Sequence, residues 1–150
     1  MHHRSRLSLL LLPALAVSLA ACGGSPSRVK VTTAKYAGLP ACARAAAHWP
    51  STVSNQTSRK TSVKSPTVKA WGDPPIIARC GVTAPGPNPN CITVNGVDWV
   101  VNPLSDGNEM VTFGRSPAIE VLAPKKYSAE LLPAFTAAAK AIPQGPHHCT

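Results

Sequence analysis

The beginning of the chain constrains the fold most, because it decides which residues fold and in which compartment they do so. Arg4 and Arg6 precede an apolar stretch from Leu7 to Leu19, which is the layout of an export signal. A membrane-spanning helix needs about 20 apolar residues, and this shorter stretch is interrupted by Pro13. We therefore predict that residues 1–21 are a signal peptide that is removed.

The run Leu19-Ala20-Ala21-Cys22 resembles a bacterial lipobox. In that case signal peptidase II cuts before Cys22 and a diacylglyceryl group is attached to its sulfur, and two acyl chains are enough for stable anchoring. The alternative is ordinary secretion after Ala20 or Ala21, which leaves Cys22 as an odd free thiol. We favour lipidation and expect a protein anchored at the extracytoplasmic face of the cell membrane.

Four further cysteines predict two disulfide bonds in such an exported chain: Cys42, Cys80, Cys91 and Cys149. All three pairings remain open. We favour Cys80–Cys91, because they flank one Pro- and Gly-rich loop between two apolar runs. Cys42–Cys149 would then close a long loop, worth about 4 to 5 kcal/mol in the chain-entropy treatment. A zinc site is disfavoured because no CxxC spacing occurs.

The remaining chain is of single-domain size. Residues 22–38 mix Gly, Ser, Pro, Thr and Lys without apolar periodicity, which predicts a flexible basic tether ahead of one domain over residues 39–150. An alanine-rich helix is expected to begin at Pro40 and to end before Pro50. Residues 51–68 are polar and basic, and we expect them to form an exposed loop or an irregular edge segment rather than a buried element.

From Trp71 onward the pattern is typical of strands followed by a helix. Asn95-Gly96 predicts a tight hairpin, and a second hairpin is expected with its turn near Ser116-Pro117. Apolar residues at helical spacing predict a C-terminal helix that starts near Leu132. The expected fold is an α+β two-layer sandwich: an antiparallel sheet of about four to five strands, stapled by disulfides, with two helices on one face. The expected strands are residues 75–80, 92–94, 97–100, 110–115 and 118–123.

Basic residues are concentrated in the N-terminal half of the exported chain. No acidic residue lies between Cys22 and Gly72, whereas from Asp73 onward acids and bases nearly balance. We expect the basic stretch from Arg59 to Lys69 to contact an anionic wall polymer or an envelope protein, in addition to the membrane held by the lipid. Nucleic acid is not an expected partner, because an exported protein rarely meets it.

Three short motifs resemble domain of unknown function family 3515, a family of uncharacterised actinobacterial exported proteins. They are Trp71-Gly72-Asp73-Pro74, Arg79-Cys80-Gly81-Val82 and Asn95-Gly96-Val97-Asp98-Trp99. The resemblance covers about residues 40–141 and implies secretion or lipid anchoring of a small disulfide-bonded domain. It implies no catalytic residue.

One polar cluster is a candidate site. Alternation along the strands predicts that Asp98 faces away from Val97 and Trp99 into solvent, and it would allow Asp73 and Arg79 to share its sheet face. Such a cluster would bind a ligand or pair with itself. Trp71 and Trp99 are expected in the core, and the alternative is a stacking platform for sugars.

Signatures of known enzyme classes are missing from the sequence. It contains no GxSxG, HExxH, Walker or GxGxxG motif. His147-His148 at the C-terminus is a weak metal motif, so we expect neither a metal nor a cofactor. The expected function is non-catalytic binding or scaffolding, with an envelope hydrolase or small-ligand binder built on Asp73, Arg79 and Asp98 as the alternative.

Overall fold

A computed structural model describes residues 27–127 and 129–150. The predicted signal peptide and Cys22 lie outside these residues. One antiparallel sheet of eight strands dominates the fold, in the order β1-β2-β3-β4-β8-β7-β6-β5. The strands are β1 (Thr52–Val53), β2 (Gln56–Arg59), β3 (Val68–Trp71), β4 (Ile76–Val82), β5 (Cys91–Val94), β6 (Val97–Pro103), β7 (Gly107–Thr112) and β8 (Ala118–Pro124). The sheet therefore consists of two four-stranded meanders that meet where β4 pairs with β8.

Short helices pack on one face of this sheet. Helix α1 covers Pro40–Ala46, a 3-10 helix covers Ala129–Phe135, and α2 covers Thr136–Lys140. Pro133 lies inside the 3-10 helix, and its missing N–H explains why regular α-helical bonding starts only after it. The described residues contain no helix with the length and apolar character needed to cross a membrane.

The core lies between the helices and the sheet. Trp71, Trp99 and Phe135 are its largest fully buried side chains. The apolar face that the C-terminal sequence predicts is confirmed, because its members are all buried: Leu131, Leu132, Phe135, Ala138, Ala139 and Ile142. Residues on alternate positions of the central strands supply the opposite wall of this core.

The prediction of four to five strands is wrong, because the sheet has eight. The strands that the sequence does not reveal are β1, β2 and β3. β1 and β2 lie within the stretch 51–68 that was expected to be an exposed loop or an irregular edge segment, and β3 begins at the last residue of that stretch. β1 and β2 carry almost no apolar alternation, and Val53 is their only buried residue. A tight turn with positive φ at Ser54 and Asn55 joins them.

All four cysteines form disulfides, but the favoured pairing is wrong. Cys42 in α1 bonds to Cys80 in β4, and Cys91 in β5 bonds to Cys149 in the C-terminal tail. Strands β4 and β5 are four steps apart in the sheet, which separates Cys80 from Cys91 by about 19 Å at the usual strand spacing. A disulfide needs Cα atoms within about 7 Å.

The N-terminal segment packs against the sheet before residue 39. Val29 is only 6 % exposed, and its N–H donates to the Lys60 carbonyl at 2.9 Å while its own carbonyl accepts from the Ser62 N–H at 2.8 Å. Further along, the Tyr36 N–H donates to the carbonyl of Gly81 at 2.9 Å. The folded domain therefore begins earlier than residue 39, and residues 29–36 are not a free tether.

Candidate functional site

The two tryptophans of the candidate cluster belong to the core. Trp71 and Trp99 have no exposed surface. The Trp71 ring contacts Phe135 edge to face, with centroids 5.5 Å apart, and its indole N–H donates to the Pro50 carbonyl at 3.2 Å. A buried ring with a satisfied N–H offers no face to a sugar. Both residues act as fold determinants.

Arg79 forms an ion pair with Glu120. Its guanidinium donates two hydrogen bonds to the carboxylate, one of them 3.1 Å long between Nη2 and Oε1. β4 and β8 place the two residues directly opposite each other in the register. The hydrogen bonds from Arg79 to Glu120 stabilise the charged guanidinium and raise the pKa of Arg79 above its usual value.

Asp98 is buried, so the prediction that it faces solvent is wrong. Its Oδ1 accepts a hydrogen bond from the Thr93 hydroxyl at 2.5 Å. Its Oδ2 accepts from the Cys149 N–H at 3.2 Å and lies 3.2 Å from Nδ1 of His148. The C-terminal tail, held by the Cys91–Cys149 disulfide, covers this carboxylate, which alternation within one strand cannot reveal.

The pKa of Asp98 reflects the same environment. Burial alone would raise the pKa of Asp98, but the hydrogen bonds from Thr93, Cys149 and His148 outweigh it and hold the pKa below the usual value. The carboxylate is therefore charged over the neutral range, and its acceptor positions are occupied by the protein itself. This arrangement fits a latch, by which we mean a side chain that holds the C-terminal tail against the sheet, rather than a general acid or base.

Asp73 lies apart from both of these groups. Its side chain is 87 % exposed and one carboxylate oxygen is 3.6 Å from Nη1 of Arg59. Asp73, Arg79 and Asp98 thus have different partners, and the structure does not bring them together as one cluster. Arg79 and Asp98 lie on β4 and β6, which are separated by β8 and β7.

Five of the described cations line a second surface, which we call the basic groove. It surrounds a cavity of about 270 Å³ next to the end of β2 and the start of β3. Its cationic lining consists of Arg28, Arg59, Lys60, Lys64 and Lys69. Its remaining lining residues are Thr61, Val63, Ser65 and Val68. Residues distant in sequence therefore combine into one positively charged concavity.

Arg59 organises the basic groove. Its Nη1 donates to the Gly72 carbonyl at 3.0 Å and its Nη2 donates to the Ser27 carbonyl at 2.8 Å. These bonds tie the N-terminal segment to the turn after β3, and they leave Arg59 only 19 % exposed. Lys60 and Lys64 are exposed around it. The groove thus combines a guanidinium held by backbone carbonyls with exposed ammonium groups.

The basic groove has a surplus of positive charge. Asp73 lies within ion-pair distance of a groove cation, with its carboxylate oxygen 3.6 Å from Nη1 of Arg59. Lys69 extends over the ring of Trp71, with its ammonium 5.7 Å from the ring centroid. An anion that enters the groove would meet several cations whose charges are not balanced by nearby acids.

A family model describes this chain over residues 7–147 as "Protein of unknown function (DUF3515)". The chain belongs to that family. No curated protein and no solved structure matches it. For this DUF3515 protein, the argument about function therefore depends on the chemistry of its own residues.

The sequence analysis of this DUF3515 protein did not identify two residues that matter for the candidate sites: Glu120, the partner of Arg79, and Arg28, which lines the basic groove. Glu120 lies in an apolar strand, between Ile119 and Val121, and its alternation away from them was the available signal. Arg28 was assigned to the tether, although its guanidinium donates to the Thr61 carbonyl at 3.3 Å. In the described part of the chain, which includes His147 and His148, no group of three or more His, Cys, Asp or Glu is arranged to hold a metal ion.

Proposed function

We propose that this DUF3515 protein is a lipid-anchored protein of the cell envelope with a non-catalytic binding role. Its binding site is the basic groove, and the ligands are phosphate or carboxylate groups carried by the envelope. The export layout and Cys22 support the anchor and the extracytoplasmic location. The cations around the groove support the binding role.

The observation that carries this proposal is the excess of positive charge in one concave surface. Three lysines and two arginines line the groove, against one carboxylate near Arg59. Arginine and lysine bind phosphate and carboxylate oxygens by charge-assisted hydrogen bonds. Because the lysines are on the surface, each contact contributes at most about 1 kcal/mol and is screened by salt.

The alternative function, a hydrolase or small-ligand binder built on Asp73, Arg79 and Asp98, receives no support from the contacts of these residues. Arg79 and Asp98 are occupied by Glu120 and by the tail, respectively. A pair of catalytic carboxylates must converge on a shared substrate position. We therefore favour binding over catalysis.

A polyanion binding assay tests the proposal. The chain from residue 22 with Cys22→Ser, oxidised and without lipid, is titrated with polyphosphate over a series of salt concentrations. Binding should weaken steadily with salt, because each neutralised charge releases counterions. A triple variant, Lys60→Gln, Lys64→Gln and Lys69→Gln, should bind about 10- to 100-fold more weakly, from about 0.5 to 1 kcal/mol per lysine.

The control is a second triple variant with the same change in net charge on exposed residues away from the groove: Arg44→Gln, Lys125→Gln and Lys140→Gln. It should lose at most a few-fold in affinity, since its charges act only at long range. Equal losses in both triple variants would show that net charge alone controls binding, and binding that is indifferent to salt would contradict an electrostatic site.

A further inference from the structure

The N-terminal segment forms one wall of the basic groove. Arg28 lines the groove, and Val29 forms a parallel bridge with Thr61, another lining residue. The carbonyl of Ser27 is held by Arg59 at 2.8 Å. The chain therefore enters the folded domain at the groove itself and not at a remote edge of the sheet.

The distance along the chain from Cys22 to the groove is short. Six residue steps separate Cys22 from Arg28, which is at most about 22 Å even for a fully extended chain. If the chain were a free tether up to residue 38, it would impose no such limit. The docking of Ser27 and Val29 keeps the groove close to the residue that carries the lipid.

From these two observations we infer that the basic groove is a membrane-docking surface that binds anionic phospholipid head groups. The inference depends on the proposed function, because Cys22 must be lipidated for the chain length to matter. A lipid at Cys22 places its own residue at the bilayer surface. The link is then short enough for the groove cations to reach phosphates of the same leaflet, where each base contributes about a five-fold gain in binding.

Charge complementarity favours this partner over a distant wall polymer. The field of an anionic membrane decays within about 8 to 10 Å at physiological salt, so only cations held near the surface benefit from it. The short link allows the five cations of the basic groove to reach that zone together. The domain would consequently lie on the membrane with the basic groove facing the lipid head groups. This orientation does not require the helices to contact lipid.

Vesicle sedimentation tests the inference with the chain from residue 22 carrying Cys22→Ser, so that binding depends on the folded surface alone. We expect it to sediment with phosphatidylglycerol-containing vesicles and to remain in solution with vesicles of phosphatidylcholine. The Lys60→Gln, Lys64→Gln, Lys69→Gln variant should bind the anionic vesicles on the order of 100-fold more weakly, from three five-fold steps. The Arg44→Gln, Lys125→Gln, Lys140→Gln variant should bind within a few-fold of the parent.

The outcomes separate this inference from the proposed function. If the parent binds polyphosphate but not the anionic vesicles, the groove is an anion site and the membrane inference is wrong, which leaves a soluble or wall polymer as the partner. If it binds neither probe at low salt, both are wrong. Equal loss of vesicle binding in the two triple variants would also overturn the inference, because the groove would then not be the docking surface.

Discussion

Replacement of Asp98 should cost this protein stability, because the side chain fastens the C-terminal tail to the sheet. Asp98→Ala removes the acceptor for the hydrogen bonds from Thr93 and the Cys149 N–H. A hydrogen bond to a charged group contributes about 1.5 to 3 kcal/mol. Thr93 is exposed and can bond to water instead, so we expect a loss of about 2 to 4 kcal/mol in the free energy of unfolding. For a domain of this size that lowers Tm by roughly 10 °C.

Urea unfolding of the oxidised protein measures this loss, read as a shift of the midpoint at constant slope. Asp106→Asn is the matched control, because Asp106 is an exposed acid in the turn between β6 and β7, and it should change stability by less than about 0.5 kcal/mol. If Asp98→Ala and Asp106→Asn gave the same unfolding free energy, the latch interpretation of Asp98 would be refuted.

The same interaction predicts a pH dependence. The pKa of Asp98 is lowered in the folded state, so the folded protein favours the charged carboxylate. The contribution of Asp98 is therefore fully present above its unfolded pKa of about 3.9 and is lost as pH falls through the lower folded pKa. The difference in unfolding free energy between the parent and Asp98→Asn should be constant near neutral pH and should shrink below about pH 4. An unchanged difference down to pH 2 would contradict this.

Three further predictions concern the anchor, the disulfides and the N-terminal segment. Cys22→Ala should abolish incorporation of a labelled fatty acid and release the protein from membranes; retained label would refute lipidation. In the Cys22→Ser chain, Cys42→Ala with Cys80→Ala should lower the free energy of unfolding by about 4 kcal/mol and expose no free thiol. Cys80→Ala with Cys91→Ala should instead expose two free thiols, those of Cys42 and Cys149. Gly81 has φ +110°, and an added Cβ would lie 2.3 Å from the Ala37 nitrogen of the N-terminal segment. Gly81→Ala should therefore lower the free energy of unfolding by about 2 to 4 kcal/mol. Gly86→Ala is the control and should leave the free energy of unfolding nearly unchanged, because an added Cβ there meets open space.

Local patterns in the sequence predict the second half of the fold well. Asn95 and Gly96 both have positive φ in the tight turn that joins β5 to β6, as their residue types require. The apolar spacing around Phe135 identifies a buried helical face, although Pro133 makes its first turn a 3-10 helix. Strong turn residues and clear periodicity decide local structure without help from distant contacts.

The first half of the sheet and the disulfide pairing could not be predicted in this way. β2 is polar and contains no buried residue, and it is stabilised by pairing with β1 and β3 rather than by apolar burial of its own. The disulfides depend on the strand order, in which β8 lies between β4 and β7. Such long-range order leaves no trace in cysteine spacing.

The candidate site shows the same division. The concentration of basic residues before Asp73 indicates a cationic surface, but only the docking of the N-terminal segment brings Arg28 beside Arg59. Asp98 was placed correctly on its strand and wrongly in its environment, because the tail that covers it is 51 residues away in sequence. Neighbours in the sequence determine to which side of the sheet the Asp98 side chain points, whereas residues distant in the sequence determine whether that side chain is buried.

Amine footprinting of the lipidated protein in its own membranes tests the central claim most directly. Lys60, Lys64 and Lys69 of the groove should react slowly with a water-soluble amine reagent, while Lys125 and Lys140 react at the rates they have in the lipid-free chain. Dissolving the membrane in neutral detergent should restore the reactivity of the groove lysines. If all five lysines reacted equally before and after detergent, the basic groove would not be the surface that binds the anionic membrane.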